Sequence, residues 1–108
     1  GVVTVSSEGK ERTMARKIAL SILLIIQEAV GNALKHGKAE NIAVKISFLN
    51  ENSLTLTITD DGTGFDFTST KQSQGHFGLS SMRKRISELG GQMQVDSSLT
   101  GTTLTFTI

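Results

Sequence analysis

Cysteine is absent from this chain and histidine occurs only as His36 and His76, so neither a disulfide framework nor a thiolate metal site can form, and most zinc sites are out of reach. The redox compartment is left undetermined. Charge of one sign is also lacking: eleven Lys plus Arg against ten Asp plus Glu leave a net charge of +1. No broad field exists to hold DNA, RNA or an anionic membrane, and any anion must be met locally. The longest uninterrupted apolar run, Ile22 to Ile26, is far short of the ~20 residues that span a bilayer, and nothing at the N-terminus reads as a signal peptide. The expectation is a soluble piece without nucleic-acid or direct membrane contact. Proline is missing as well, whereas glycine is abundant at eleven, which points to a folded domain with specific backbone duties for glycine. The 108 residues suffice for one domain, 1–108, and not for a second.

Periodicity supplies the elements. Val3 and Val5 are two apart, a short strand that Ser7 to Lys10 should end. From about Met14 to Lys35, Ile18, Ile22, Ile25, Ile26, Ala29, Val30, Ala33 and Leu34 recur at the 3.6-residue spacing of a buried helix. Gly37 follows as a stop. Ile42, Val44, Ile46 and Phe48, then Leu54, Leu56 and Ile58, alternate with polar residues on either side of a polar turn, which predicts a β-hairpin. Asp66 to Gly78 is read as a long mobile loop. Leu79, Met82, Ile86 and Leu89 return to helical spacing, with Ser80 or Ser81 as N-cap and Gly90–Gly91 as terminator. Two further alternating runs, Met93 with Val95 and Leu104 to Ile108, close the chain. The predicted fold class is α+β: a two-layer α/β sandwich with helices on one face of a mixed, mostly antiparallel sheet.

Three polar groupings interrupt this apolar pattern. On the first helix Glu28, Asn32, Lys35 and His36 stand at relative positions 0, 4, 7 and 8 and so share a face. A solvated charged edge would give the same spacing. The residue types suit more: a Glu can orient water or take a proton, an Asn oxygen is a neutral hard ligand for Mg²⁺, and a Lys can meet phosphate oxygens. His36 is either a cap on helix carbonyls or a nucleotide contact. Next, Asp60, Gly62 and Gly64 form D-x-G-x-G at a strand end, where glycines let a backbone lie close to a flat ligand and a carboxylate can accept a hydrogen bond from an exocyclic amine. A plain Asx turn is the other reading. Finally, Gly75, His76, Phe77 and Gly78 lead into Leu79 and a helix, where backbone N–H groups could face phosphates; glycines loosening a long connection would look the same. Neither a phosphate cradle of the G-x-x-x-x-G-K-[ST] type nor the Rossmann glycine pattern is present.

Taken in order, Q-E-A-V-G-N-A-L-K-H from Gln27, D-D-G-T-G-F from Asp60, G-H-F-G-L from Gly75 and G-T from Gly101 resemble the ATP-binding catalytic domain of bacterial sensor histidine kinases, in the superfamily shared with gyrase, Hsp90 and MutL. The likeness covers Ile18 to Ile108, and G-L-x-x-M-R-x-R and L-G-G are similar to the subfamily whose regulators carry LuxR-type output domains. It implies a Bergerat fold with ATP and Mg²⁺ as cofactors. By the resemblance, Asn32 would ligate Mg²⁺, with Glu28 beside it as base, metal or water-positioning group. Lys35 would meet phosphate, His36 would lie close to nucleotide and Asp60 would bind the adenine amine. Gly62 and Gly64 would admit the base, Gly75, Gly78 and Leu79 would close over the phosphates, and Thr102 would assist near adenine through water.

The resemblance further implies a γ-phosphoryl transfer to a histidine on a separate helical domain of a dimeric parent kinase, with a response regulator as indirect partner, and a cytoplasmic location that leaves open whether the parent is anchored in the inner membrane. Departures exist. No separate phenylalanine-rich box precedes the glycine loop, Gly37 stands where alanine or serine is usual, and neither His36 nor His76 sits in a phosphoacceptor sequence, so the chain alone is not expected to autophosphorylate. An anti-sigma-factor-type serine kinase of the same superfamily and an interaction domain that has lost nucleotide binding are the competing readings.

Overall fold

The computed structural model describes residues 2–9, 15–35, 38–50, 53–62, 79–98 and 100–108. Five strands, β1 (Val2–Gly9), β2 (Asn41–Asn50), β3 (Ser53–Asp60), β4 (Gln92–Ser98) and β5 (Gly101–Thr107), and two helices, α1 (Arg16–Lys35) and α2 (Leu79–Glu88), follow in the order β1-α1-β2-β3-α2-β4-β5. The strands form one sheet in the order β1-β2-β3-β5-β4. β1 runs parallel to β2, as a helical crossover between them allows, and the other three pairings are antiparallel.

Period-two alternation puts Ile42 and Val44 of β2, Leu54, Leu56 and Ile58 of β3, and Leu104 and Phe106 of β5 on one face, where they are buried with Ile22, Ile25, Ala29 and Ala33 of α1 and Leu79, Met82 and Ile86 of α2. Both helices therefore cover the same side of the sheet. On the other side threonines face one another across β3 and β5, Thr55 with Thr107, Thr57 with Thr105 and Thr59 with Thr103, a β-branched polar surface that tolerates water while packing cross-strand. Although its longest apolar run is short, α1 as a whole is long and apolar enough to cross a membrane by length and composition. Its inward face is committed to the sheet, and the outward Leu20, Leu23 and Leu34 are exposed.

Two boundaries differ from the sequence-based expectation. β1 continues to Gly9, because Glu8 reaches across to β2, pairing with Lys45 at 3.1 Å and accepting the Ser47 hydroxyl at 3.1 Å. α1 ends at Lys35 as expected, and its expected stop, Gly37, lies outside the described residues; further on, Lys38 has a positive φ of 53° and the Ala39 N–H closes on the Ala33 carbonyl at 2.9 Å. Ser80 and Ser81 fall inside the first turn of α2 instead of capping it, since the helix already begins at Leu79, whose burial anchors it. The predicted stop of α2 holds: Gly90 has φ 79°, its N–H bonds the Ser87 carbonyl and the Gly91 N–H bonds the Ile86 carbonyl, each at 2.9 Å. That is the paired closure for which a left-handed glycine is suited. The segment 66–78 lies outside the described residues.

Candidate functional site

The polar residues collect where β3 ends and β5 begins. Asp60 continues the inward row of Leu54, Leu56 and Ile58, so the last side chain of that row is a half-buried carboxylate on the helix-covered face. Its Oδ1 accepts the N–H of the buried Gly62 at 2.8 Å, which folds the chain sharply after the strand. In register beside it are Ile42 on one side and Thr102 on the other. Thr102 is only 3% exposed, and its hydroxyl shares a 3.0 Å hydrogen bond with that of Ser97 on β4. Gly101 is required at this place: an added Cβ would overlap the carbonyl oxygen of Asp60. Two residues that are 42 positions apart by number, 60 and 102, are thus direct cross-strand neighbours.

The polar stripe of α1 does not stay together. Asn32 turns inward beside Ala29 and Ala33 and is 9% exposed, while Glu28 and Lys35 are exposed. The reason is angular: the sheet-facing arc of α1 is centred on Ile22, Ile25 and Ala29, and at about 100° per residue Asn32 falls at its margin. Among the described residues the Asn32 Nδ2 is a buried side-chain atom with no hydrogen-bond partner, although buried amides are nearly always satisfied. The amide can exchange its NH₂ and its oxygen by turning over, so one end of a buried carboxamide is left for something else to meet.

The end of α1 is tied to the end of β3. After the Ala39–Ala33 closure, the N–H groups of Glu40 and Asn41 donate to Asp61 Oδ1 at 2.8 and 2.9 Å, the Asn41 Nδ2 donates to Asp61 Oδ2 at 2.9 Å, and the Asp61 N–H returns to the Asn41 carbonyl at 3.2 Å. The backbone N–H of Asn41, then its side chain and the N–H of Glu40, hold the Asp61 carboxyl below its ordinary range. Hence the last turn of α1, the Asp60–Gly62 turn and Thr102 occupy one end of the molecule. Glu28, one turn earlier, instead lines a shallow cleft of about 230 Å³ between α1 and α2 with Leu24, Gln27, Ser81 and Arg85. Leu79 is buried at the start of α2. His36, Gly64, Gly75 and Gly78 lie outside the described residues. Sequence reasoning gave a role to only one of the two carboxylates in the D-D-G turn, Asp60, and assigned none to Asp61, Ser97 or Arg85. The aspartate doublet signalled Asp61, but the partners of all three become visible only through register and helix packing.

Residues 18–108 match the family described as histidine kinase-, DNA gyrase B- and HSP90-like ATPases. The chain belongs to this family. It is 36% identical over 93 residues to the signal transduction histidine-protein kinase/phosphatase DegS of Bacillus subtilis, an alignment covering 85% of this chain and 24% of DegS. Against the nitrate/nitrite sensor protein NarQ of Escherichia coli it is 38% identical over 88 residues, 82% of this chain and 15% of NarQ. The chain therefore spans about a quarter or less of these relatives. Among solved structures, the histidine kinase domain of the Erythrobacter litoralis blue-light activated histidine kinase superposes with a TM-score of 0.76 at 24% identity over all of this chain and 55% of that one. The ATP binding domain of PrrB from Mycobacterium tuberculosis gives 0.70 at 21% identity over 95% and 76%. At those identities the two structures establish the fold, the expected two-layer sandwich. Family, relatives and fold agree: this is an ATP-binding domain of the sensor histidine kinase type, and the anti-sigma-type alternative is not favoured.

Proposed function

We propose that this chain binds ATP together with Mg²⁺ at the end of the sheet marked by Asp60 and presents the γ-phosphoryl to a histidine on a separate helical domain of a longer, dimeric kinase, from which a response regulator is served. The observation that carries this is the buried carboxamide of Asn32, whose Nδ2 has no partner among the described residues, at the same end of the molecule as an inward carboxylate and a buried threonine hydroxyl. Asp60 accepts the exocyclic amine of adenine, Thr102 assists through water, and Gly62 with Gly64 lets the base approach. Lys35 meets phosphate oxygens, His36 lies close to the nucleotide, and Gly75, Gly78 and Leu79 close over the phosphates. Glu28 orients water or polarises the phosphate end from the rim of its cleft.

The donor set suits Mg²⁺. Among the described residues no three His, Cys, Asp or Glu side chains converge on a metal position, and Mg²⁺ asks for no such cage: it takes one or two protein oxygens and completes its shell with phosphate and water. Asn32 supplies one such oxygen. When bound, the ion neutralises charge on the phosphates. The chain's own residues contribute position and electrostatics rather than covalent chemistry, since the nucleophile is the nitrogen of a histidine that this chain does not supply. The bond from the γ-phosphorus to that nitrogen forms as the bond to the ADP oxygen breaks, and ADP leaves as the product.

Titration calorimetry with ATP and Mg²⁺ tests the binding half of the proposal, and no detectable heat at millimolar nucleotide refutes it. Mixing the chain with a phosphoacceptor helical hairpin and labelled ATP tests the transfer. An acid-labile, alkali-stable label on the hairpin is expected; an acid-stable one would place the acceptor at serine.

A further inference from the structure

Core packing seats α1 on the sheet but does not fix how far its last turn lies from the Asp60 turn, because apolar contacts are non-directional. Hydrogen bonds are directional, and the ones that link these two places converge on Asp61. Its side chain is exposed, where a carboxylate would ordinarily be left to water, yet Oδ1 accepts from the Glu40 and Asn41 N–H groups and Oδ2 from the Asn41 side chain, at 2.8–2.9 Å. With the return bond from the Asp61 N–H to the Asn41 carbonyl at 3.2 Å, the end of β3 is locked to the connection that leaves α1. That connection is otherwise costly to hold, since Lys38 is a non-glycine residue in the left-handed region. The path from Asn32 to Asp60 therefore runs through Ala33, Ala39, Glu40 or Asn41, and Asp61, with a hydrogen bond at each non-covalent step.

We infer that Asp61 is a positioning residue of the nucleotide site, a clamp that sets the span between the base-recognising carboxylate of Asp60 and the phosphate-end carboxamide of Asn32. The inference rests on the adenine-nucleotide reading above. It explains a need for a carboxylate in particular. Three donors converge on its two oxygens; an asparagine there could keep the pairing once the Asn41 amide turns over, but it would lose the charge that strengthens all three bonds. Exchanging the two residues would return the charge to the pair, with the carboxylate at position 41 accepting from the new amide at position 61.

The test is calorimetry on the whole chain with ATP–Mg²⁺ and, separately, with adenosine, for wild type, Asp61→Asn, Asp61→Ala and the double variant Asp61→Asn with Asn41→Asp, circular dichroism first establishing that each is folded. Asp61→Asn should weaken ATP about tenfold, the scale of one charge-assisted hydrogen bond, while adenosine, which needs only the Asp60 end, changes less than about twofold on the same scale. The double variant should recover most of the ATP affinity. A general loss of structure would move both ligands together and would not be rescued by the exchange. ATP affinity within about twofold of wild type in Asp61→Asn, or no recovery in the exchange, overturns the inference and leaves the nucleotide reading standing. A flat titration of wild type removes that reading, and the clamp's role in it, at the first step.

Discussion

Replacing Asn32 by leucine should make the nucleotide-free protein more stable and unable to use Mg²⁺. The carboxamide is 9% exposed with its Nδ2 unpartnered among the described residues, and a buried amide group without a hydrogen bond costs about 1–3 kcal/mol. Leucine has nearly the same shape without the polar atoms, and imperfect fit in a close-packed core returns up to roughly 1.5 kcal/mol of that gain. The net expectation is about 1–2 kcal/mol in favour of the variant, or roughly 4–10 °C in Tm for a domain of this size. Native sites hold such unfavourable groups where function requires them. Urea or thermal unfolding without nucleotide measures the first part, and calorimetry with ATP at varied Mg²⁺ measures the second. A variant whose Tm falls instead, or whose ATP affinity still rises with Mg²⁺, would show that the carboxamide is an ordinary structural amide and that the phosphate end lies elsewhere.

Asp60→Asn can keep the hydrogen bond to the Gly62 N–H while presenting a less basic oxygen to adenine, so ATP affinity should fall by about tenfold or more and the preference over GTP should shrink; competition binding with both nucleotides decides, and an unchanged preference would contradict base recognition by Asp60. Phe106 is completely buried against Leu56 and Met93 on neighbouring strands, and Phe106→Ala should cost about 3–5 kcal/mol in urea denaturation. Gly101→Ala would force a Cβ into the Asp60 carbonyl, so it should lower both stability and ATP affinity by displacing the Asp60–Thr102 pair, readable by calorimetry and thermal melts. Asp61 and Glu8 both have folded pKa values below their ordinary ones, Asp61 through the N–H of Asn41 and Glu8 through its bond from Lys45. Their stabilisation is therefore complete above the unfolded carboxylate range near pH 4 and fades as pH falls through the folded values. The slope of stability against pH below 4 should become shallower in Asp61→Asn and in Lys45→Gln.

The elements were legible because burial here follows strict periods. Ile22, Ile25, Ala29 and Ala33 can share a face only on a helix, and Leu54, Leu56 and Ile58 only on a strand, so composition and spacing alone determined the helix, the hairpin and the sandwich of helices on one sheet face. The order of four short motifs likewise determined the family. What no local pattern could decide was which polar residues meet. Glu28 and Asn32 stand one turn apart on the same polar stripe, but the arc of α1 that meets the sheet takes in Asn32 at its margin and leaves Glu28 at the rim of a cleft with Arg85. Asp60 and Thr102 become neighbours only because β5 inserts between β3 and β4 in a register set by the buried rows of both strands. Asp61, one of two identical letters, acquires its partners from the path of the chain leaving α1. Side-chain period is a property of one segment and can be read from it; strand order, register and the seating of each helix face are outcomes of packing all segments at once, and the site is made from those.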